Sequence, residues 1–153
     1  MHWADFAAQT LSQRGDKHII ASGITPSGEF HIGHLREILT GDMITRACKS
    51  AGLDAEFVFI VDSADPLRKV YPFLSDEYEQ YIGCALATIP APDEKGRPGS
   101  GDRNYAQHFL EPFLAALEKI DVRPRIIDNY TSYSNGEFAE KSRIACEKAD
   151  EIL

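Results

Sequence analysis

The sequence predicts an α/β fold: the first half of a doubly wound parallel sheet, with helices between its strands. Three observations predict it. Two short apolar runs, 17–23 and 55–62, have the β-branched and aromatic content of strands buried in a parallel sheet. Between them a turn bearing Gly28 and Gly33 leads into a stretch of helical period, which makes a right-handed βαβ unit the default. A third apolar run, Arg125-Ile126-Ile127-Asp128, follows another amphipathic helix.

Residues 1–15 read as a short amphipathic helix with Trp3, Phe6, Ala7 and Leu11 on one side, ended by Gly15-Asp16. The first strand, Lys17 to Gly23, is suited to burial on both faces. Ile24 to Phe30 is a loop, interrupted by Pro26 and Gly28. A helix then begins near His31 or Ile32 and runs to about Ser50. Its apolar stripe is Leu35, Leu39, Met43 and Ala47, with Ile38 and Ile44 beside it, and Gly52 is its stop. After the second strand, Asp65 to Asp102 is an insertion punctuated by Pro66, Pro72, Pro90, Pro92 and Pro98. It has one short helix around Asp76 to Tyr81 and a mobile loop from Ala91 to Asp102. Phe109, Leu110, Phe113, Leu114, Leu117 and Ile120 mark the next helix, which Pro112 either kinks or divides. A charged helix from Asn135 to Leu153 closes the sequence, its weak apolar stripe made of Phe138, Ala145, Ala149 and Ile152. Half a sheet leaves a long edge strand and one poorly covered face.

The 153 residues suit one domain of ordinary size or a fragment of a larger protein. With 43% hydrophobic and 26% charged residues the composition is that of a globular domain. A formal net charge of −8 argues against gripping nucleic acid through bulk charge. No run approaches a membrane span and the first residues lack a secretory signal, so a cytoplasmic protein without membrane contact is expected. Cys48, Cys84 and Cys146 are odd in number and far apart, as in a reducing compartment, and no metal pattern is visible.

The chemistry concentrates in Gly23-Ile24-Thr25-Pro26-Ser27-Gly28-Glu29-Phe30-His31-Ile32-Gly33-His34, where the first strand passes into the first crossover helix. Ligands of open α/β sheets bind outside the carboxyl ends of the strands. There, unpaired backbone N–H groups and the positive end of the helix dipole favour phosphate. Gly28 and Gly33 permit close backbone approach, and His31 and His34, three apart, share a helical face from which imidazoles donate to phosphate oxygens. The chemistry that fits is attack on the α-phosphate of a nucleotide, in which the protein orients reactants and neutralises developing charge. His31 and His34 are the catalytic candidates, and Pro26, Ser27, Gly28 and Gly33 complete the nucleotide-binding set. The bland alternative is that the two imidazoles cap and pack the helix.

His31-Ile32-Gly33-His34 after Pro26-Ser27-Gly28 resembles the HIGH signature of class I aminoacyl-tRNA synthetases. The run 21–28, then Asp65-Pro66-Leu67-Arg68-Lys69-Val70-Tyr71-Pro72-Phe73, then Tyr105-Ala106-Gln107-His108-Phe109-Leu110-Glu111-Pro112-Phe113 resemble, in order, the archaeal type of class I lysyl-tRNA synthetase. The resemblance implies a Rossmann-like (HUP-type) catalytic domain that activates lysine with ATP, accompanied by Mg2+, and passes it to the 3′ end of tRNA-Lys. It implies Gly33 under the adenine ring, His31 and His34 toward the phosphates, and Gly23 and Thr25 lining the amino-acid pocket. Asp62 and Asp65, at the end of the second strand, are further candidates, because a partly desolvated ammonium needs a carboxylate. Equally, they cap the turn. Arg68 and Lys69 meet either phosphate and the tRNA end or only solvent.

The resemblance covers the N-terminal half of the catalytic domain. No Lys-Met-Ser-Lys or near variant occurs in the 153 residues, and the family's KMSKS half and anticodon-binding domain are not among them. The family's Cys-rich stretch before Tyr105 is replaced by 93–101, rich in Gly and charge, which puts zinc there in doubt. A lysine–tRNA ligase half that is inactive or weak by itself is therefore expected. The alternative is a stand-alone nucleotide- or amino-acid-binding paralogue that needs a second chain to complete its sheet. A small nucleotidylyltransferase explains the two histidines but neither of the other runs.

Overall fold

A computed structural model describes residues 2–152. Helix α1 (Trp3–Ser12) precedes strand β1 (Lys17–Ile24), helix α2 (Ile32–Ser50), strand β2 (Asp54–Val61), helix α3 (Tyr105–Lys119) and strand β3 (Arg125–Asp128). The strands form one parallel sheet in the order β1-β2-β3, with Ile24 opposite Val61 and Val61 opposite Asp128. This is the expected α/β half-sheet.

Both crossovers advance in the same direction, so α2 and α3 cover the same face. Ile24, Phe57, Phe59 and Val61 of that face enclose a core with Ile38 from α2 and Phe113 and Leu117 from α3. The consequence overturns the expectation for β1, which is not buried on both faces. Its side chains alternate, and Ile19, on the uncovered face, is 61% exposed. Only the central strand β2 buries consecutive residues, Phe57, Val58 and Phe59.

The helices also correct the predicted stripes. Helix α1 buries Ala4 and Ala8, while Trp3 and Phe6 are exposed, because α1 docks through its small residues against Cys48 and Ala55. On α2 the buried line is Ile38, Gly41, Thr45 and Cys48, and Met43 faces outward. Gly52 stops α2 as expected, at φ +84, a conformation natural to glycine. Helix α3 begins at Tyr105 because Asn104 and Gln107 form a reciprocal cap: Gln107 N–H donates to Asn104 Oδ1 at 2.9 Å, and Asn104 N–H donates to Gln107 Oε1 at 3.1 Å. Pro112 lies inside it without dividing it.

The insertion is better built than predicted. Leu67, Leu74, Tyr78, Leu86, Ile89 and Tyr105 make a second core under two short 3-10 turns, Asp76–Tyr81 and Leu86–Thr88. The stretch expected to be a mobile loop is a defined turn: the Asp93 carboxylate accepts from the N–H groups of Lys95 and Arg97, both at 2.8 Å, and Pro92 bridges Pro98. The single closing helix expected from Asn135 is instead two pieces, α5 (Ala139–Glu147) and α6 (Ala149–Ile152), preceded by a separate short helix α4 (Asn129–Ser134), with Gly136 at φ +75 between α4 and α5. Asp128 starts α4 early by accepting from Thr131 N–H at 2.8 Å. Leu153, the predicted end of that helix, lies outside the described residues.

Candidate functional site

Two clusters form at the carboxyl ends of the strands. The first is the turn from β1 into α2. It is held from beneath by Tyr105, whose buried hydroxyl donates to the Ser27 carbonyl at 2.8 Å, and by Phe30, stacked on Phe113 at 4.2 Å. Burial, with Tyr71 and Tyr78 nearby, pushes the Tyr105 phenol far above its ordinary range, so it acts only as a neutral donor.

At the mouth of that turn His31 is the N-cap of α2. Gly33 N–H donates to His31 Nδ1 at 3.1 Å, and His31 N–H donates to His34 Nδ1 at 3.0 Å. The rings lie 4.0 Å apart. The capping alternative is therefore real, yet it does not use up the imidazoles. An Nδ1 that accepts carries no proton, so the network assigns both neutral rings the tautomer with N–H at Nε2. Burial, then the His31 ring, hold the His34 imidazole below its ordinary value, which favours the neutral form. What was expected to be a set of bare amides is thus a pair of imidazoles that occupy two of those amides and offer their own Nε2–H groups in exchange. Gly33 is required for this fold-back: a Cβ there would come within 2.8 Å of the His31 ring.

Both histidines line a cavity of about 590 Å3 together with Thr25, Ser27 and Gly28. Its opposite wall comes from the insertion and α3, with Tyr71, Phe73 and His108, none of which the sequence singled out as a site residue. Pro26 departs from expectation: it is fully buried, shaping the loop without reaching the cavity. Gly33 opens onto a separate apolar groove with Trp3, Ile32, Leu39 and Met43 on the far side of the α2 N-terminus.

The second cluster joins β2 to its neighbours. Thr25 Oγ donates to Asp65 Oδ2 at 2.7 Å, and the Arg68 guanidinium lies 3.6 Å from the same oxygen. Asp62 Oδ2 sits 3.4 Å from where a Cβ on Gly23 would be. The four sequence candidates Gly23, Thr25, Asp62 and Asp65 therefore meet. The turn after β2 is closed by backbone, Asp65 N–H to the Asp62 carbonyl at 3.2 Å, which leaves both carboxylates directed toward β1 and β3. Burial, then the neighbouring Asp65, hold the Asp62 carboxyl above its ordinary value; a hydrogen bond from Asn129 Nδ2 at 2.6 Å opposes them. Arg68 is occupied by Asp65, and the Lys69 ammonium lies 5.6 Å from the centre of the Tyr71 ring.

Among the described residues no group of three or more His, Cys, Asp and Glu is arranged to hold a metal, and no helix is long and apolar enough to cross a membrane. Of the acidic residues on the cavity wall, Asp93 is spent on its own turn.

Residues 1–153 match the family described as tRNA synthetases class I (K). The chain is 46% identical over 152 residues to the lysine–tRNA ligase of Archaeoglobus fulgidus, covering 99% of this chain and 30% of that protein. It is 45% identical to the lysine–tRNA ligase of Picrophilus torridus, covering 99% of this chain and 28% of that protein. The lysine–tRNA ligase of Methanocaldococcus jannaschii is 43% identical over 155 residues, covering all of this chain and 28% of its own length. The chain thus spans less than a third of the curated relatives it matches.

Proposed function

The chain belongs to the class I lysyl-tRNA synthetase family, and from that membership we propose that it carries the ATP- and lysine-facing part of a lysine–tRNA ligase. The observation that carries the reading is the imidazole pair, with Nδ1 atoms committed to the helix end and Nε2–H donors free at a solvent-open cavity. In this reading ATP straddles the α2 N-terminus. Its adenine rests on Gly33 in the apolar groove, and its phosphates enter the cavity beside Ser27, Gly28, His31 and His34. Magnesium brought with ATP would be held chiefly by the triphosphate, and on this wall Glu29 and Glu94 are the carboxylates that could assist it.

Lysine lies over Gly23 and beside Thr25, with its ammonium on Asp62, the carboxylate that has no arginine or lysine against it. A carboxylate oxygen of lysine attacks the α-phosphorus, the bond from that phosphorus to the bridging oxygen breaks, and pyrophosphate leaves with the electron pair. No proton has to move. His31 and His34 contribute as fixed neutral donors to the oxygens on which charge accumulates. A terminal ribose hydroxyl at the 3′ end of tRNA-Lys then attacks the lysyl carbonyl carbon, the bond to the phosphate oxygen breaks, AMP leaves, and the hydroxyl proton is released.

These residues supply donors to one side of the triphosphate. A preorganised donor lost from such a site is worth about 3 kcal/mol, and the 153 residues hold no Lys-Met-Ser-Lys loop, so activation by them alone is expected to be weak or absent. Calorimetry with ATP and with lysine tests binding, and lysine-dependent ATP–pyrophosphate exchange tests chemistry. Binding of both with little exchange is expected; binding of neither overturns the reading. The unpaired edge of β1 and the exposed Ile19 also favour a second reading, a binding module completed by another chain. Self-association in sedimentation, without exchange activity, favours that one.

A further inference from the structure

We infer that Asn129 is a positioning residue for the lysine site, fixing the Asp62 carboxylate so that one oxygen is held by the amide and the other is presented over Gly23 to the substrate ammonium. The inference rests on the reading that lysine's ammonium meets Asp62. Asn129 Nδ2 donates to Asp62 Oδ1 at 2.6 Å across 67 residues of sequence, while Asp62 Oδ2 faces the space that Gly23 leaves by lacking a Cβ. The two oxygens are thereby made unequal.

The corner carrying Asn129 is itself fixed. Ser63, fully buried, donates through Oγ to Asp128 Oδ2 at 2.5 Å and accepts from Tyr130 N–H at 3.2 Å, so the residues on either side of Asn129 are tied to the end of β2. The amide has a short reach and a set direction.

The charges around Asp62 make this donor matter. Asp65, three residues on, is the like charge that acts on Asp62. Arg68 leans on Asp65, and Asp128 is engaged by Ser63 and Thr131. With no arginine or lysine against it, Asp62 has the Asn129 amide as the donor that favours its ionised form, against burial and Asp65. A donor to the ionised form lowers a carboxyl pKa, and its removal leaves burial and Asp65 unopposed. An asparagine suits this position because it donates without adding charge: an arginine or lysine there would neutralise Asp62 and compete with the substrate.

The test titrates the Asp62 side-chain carboxyl by carbon-13 NMR, and lysine affinity by calorimetry as a function of pH, in the whole chain and three variants. In Asn129→Ala the Asp62 midpoint is expected to rise by about one pH unit, with the pH profile of lysine binding following it. Lysine affinity is expected to fall by about tenfold at neutral pH, on the scale of one hydrogen bond to a charged group. Asn129→Asp, equal in shape, is expected to raise the midpoint further, and Asn129→Gln, which keeps the donor, to restore part of the affinity. An Asp62 midpoint unmoved in both Asn129→Ala and Asn129→Asp, with only thermal stability changed, overturns the inference and makes Asn129 a stitch between strands. A midpoint that moves as expected while the unaltered chain binds no lysine keeps the placement of Asp62 by Asn129 and overturns the substrate reading instead.

Discussion

The two corners at the carboxyl ends of the strands solve opposite problems by opposite means. In the proposed reading the β1–α2 corner needs donors for an anion, and the backbone already has them in surplus at a helix start. His31 and His34 take up two of those N–H groups and re-present them as Nε2–H, so the corner is internally satisfied while it waits for ligand. In the same reading the β2–β3 corner needs acceptors for a cation, and the carboxylates that supply them bring net negative charge. Burial, and then the nearby Asp65, hold the Asp62 carboxyl above its ordinary value. In the proposed reading, the difference teaches that an anion site of this kind is expected to add to the stability of the empty protein and the cation site to subtract from it.

The most direct way to break that contrast is Asp62→Asn. The new amide keeps an oxygen to accept from Asn129 but carries no charge to oppose Asp65. Lysine binding is expected to weaken by roughly thirtyfold, about 2 kcal/mol, as for the loss of one partner of a partly desolvated charge pair. The apparent Tm is expected to rise by roughly 2–4 °C, as for about 1 kcal/mol in a domain of this size. ATP affinity should not move. Calorimetry with each ligand and a thermal melt check all three, and a variant that loses stability together with lysine binding removes the contrast.

The imidazole corner is sharpened by pairing His31→Ala with His31→Asn. Asparagine is a good N-cap and can accept from Gly33 N–H in place of Nδ1, but it has no donor at the reach of Nε2. Alanine is expected to cost about 1 kcal/mol of stability, the usual value of a lost cap. Asparagine should recover most of that stability, while both weaken ATP binding by about tenfold, on the scale of one hydrogen bond to a charged group. If asparagine restores ATP binding along with stability, the imidazoles are caps and nothing more.

Acid should act on the two corners with opposite sign. The His34 pKa is lowered in the folded state, so between its ordinary 6.5 and that lower folded value the unfolded chain binds more protons. Stability contributed by His34 is therefore present above 6.5 and is lost as the pH falls through that window. The Asp62 pKa is raised, so the folded chain binds more protons between that raised value and the ordinary 3.8, and stability is regained as the pH falls there. Each effect is expected to be below about 1 kcal/mol. Urea unfolding at stepped pH isolates them: His34→Asn should flatten the upper window and Asp62→Asn the lower one.

Why much of this was legible in the sequence, and why some was not, follows from the range of the interactions. The β1–α2 turn is local: strand, Pro26-Ser27-Gly28 and two histidines three apart are fixed by helix geometry and need no distant partner. The start of α2 and its stop at Gly52 were readable for the same reason. Asn129 was not, because its hydrogen bond to Asp62 depends on β3 lying beside β2 with Val61 opposite Asp128, a register that no local pattern encodes. The order of 91–102 was missed because it comes from the Asp93 carboxylate accepting from Lys95 and Arg97 N–H. The insertion's core was missed because it draws on Tyr105 and Phe109 of the following helix, residues that sequence order assigns elsewhere. The faces of α1 and α2 were misread because bulk was taken as a sign of burial. Ala8 goes inside where α1 meets α2, Gly41 goes inside where α2 lies over the Phe57 ring of β2, and Trp3 and Met43 are left to line a groove.

The smallest expected effect is a control at the other end of the sheet. Arg125 grips Glu56 through two hydrogen bonds, 2.7 and 3.1 Å, and holds the Glu56 carboxyl below its ordinary value. The geometry is as good as any ion pair at the two functional corners, yet both side chains are 48% exposed, on the face that neither α2 nor α3 covers. Water competes for each partner there, and such pairs contribute little. Glu56→Gln is therefore expected to leave the Tm within the reproducibility of the melt and to leave ATP and lysine affinity unchanged. In the proposed reading the charge that matters for ligands is the charge held partly out of water at the carboxyl ends of the strands. A ligand affinity that responds to Glu56 would mean that the strand transmits what its two ends were argued to keep separate.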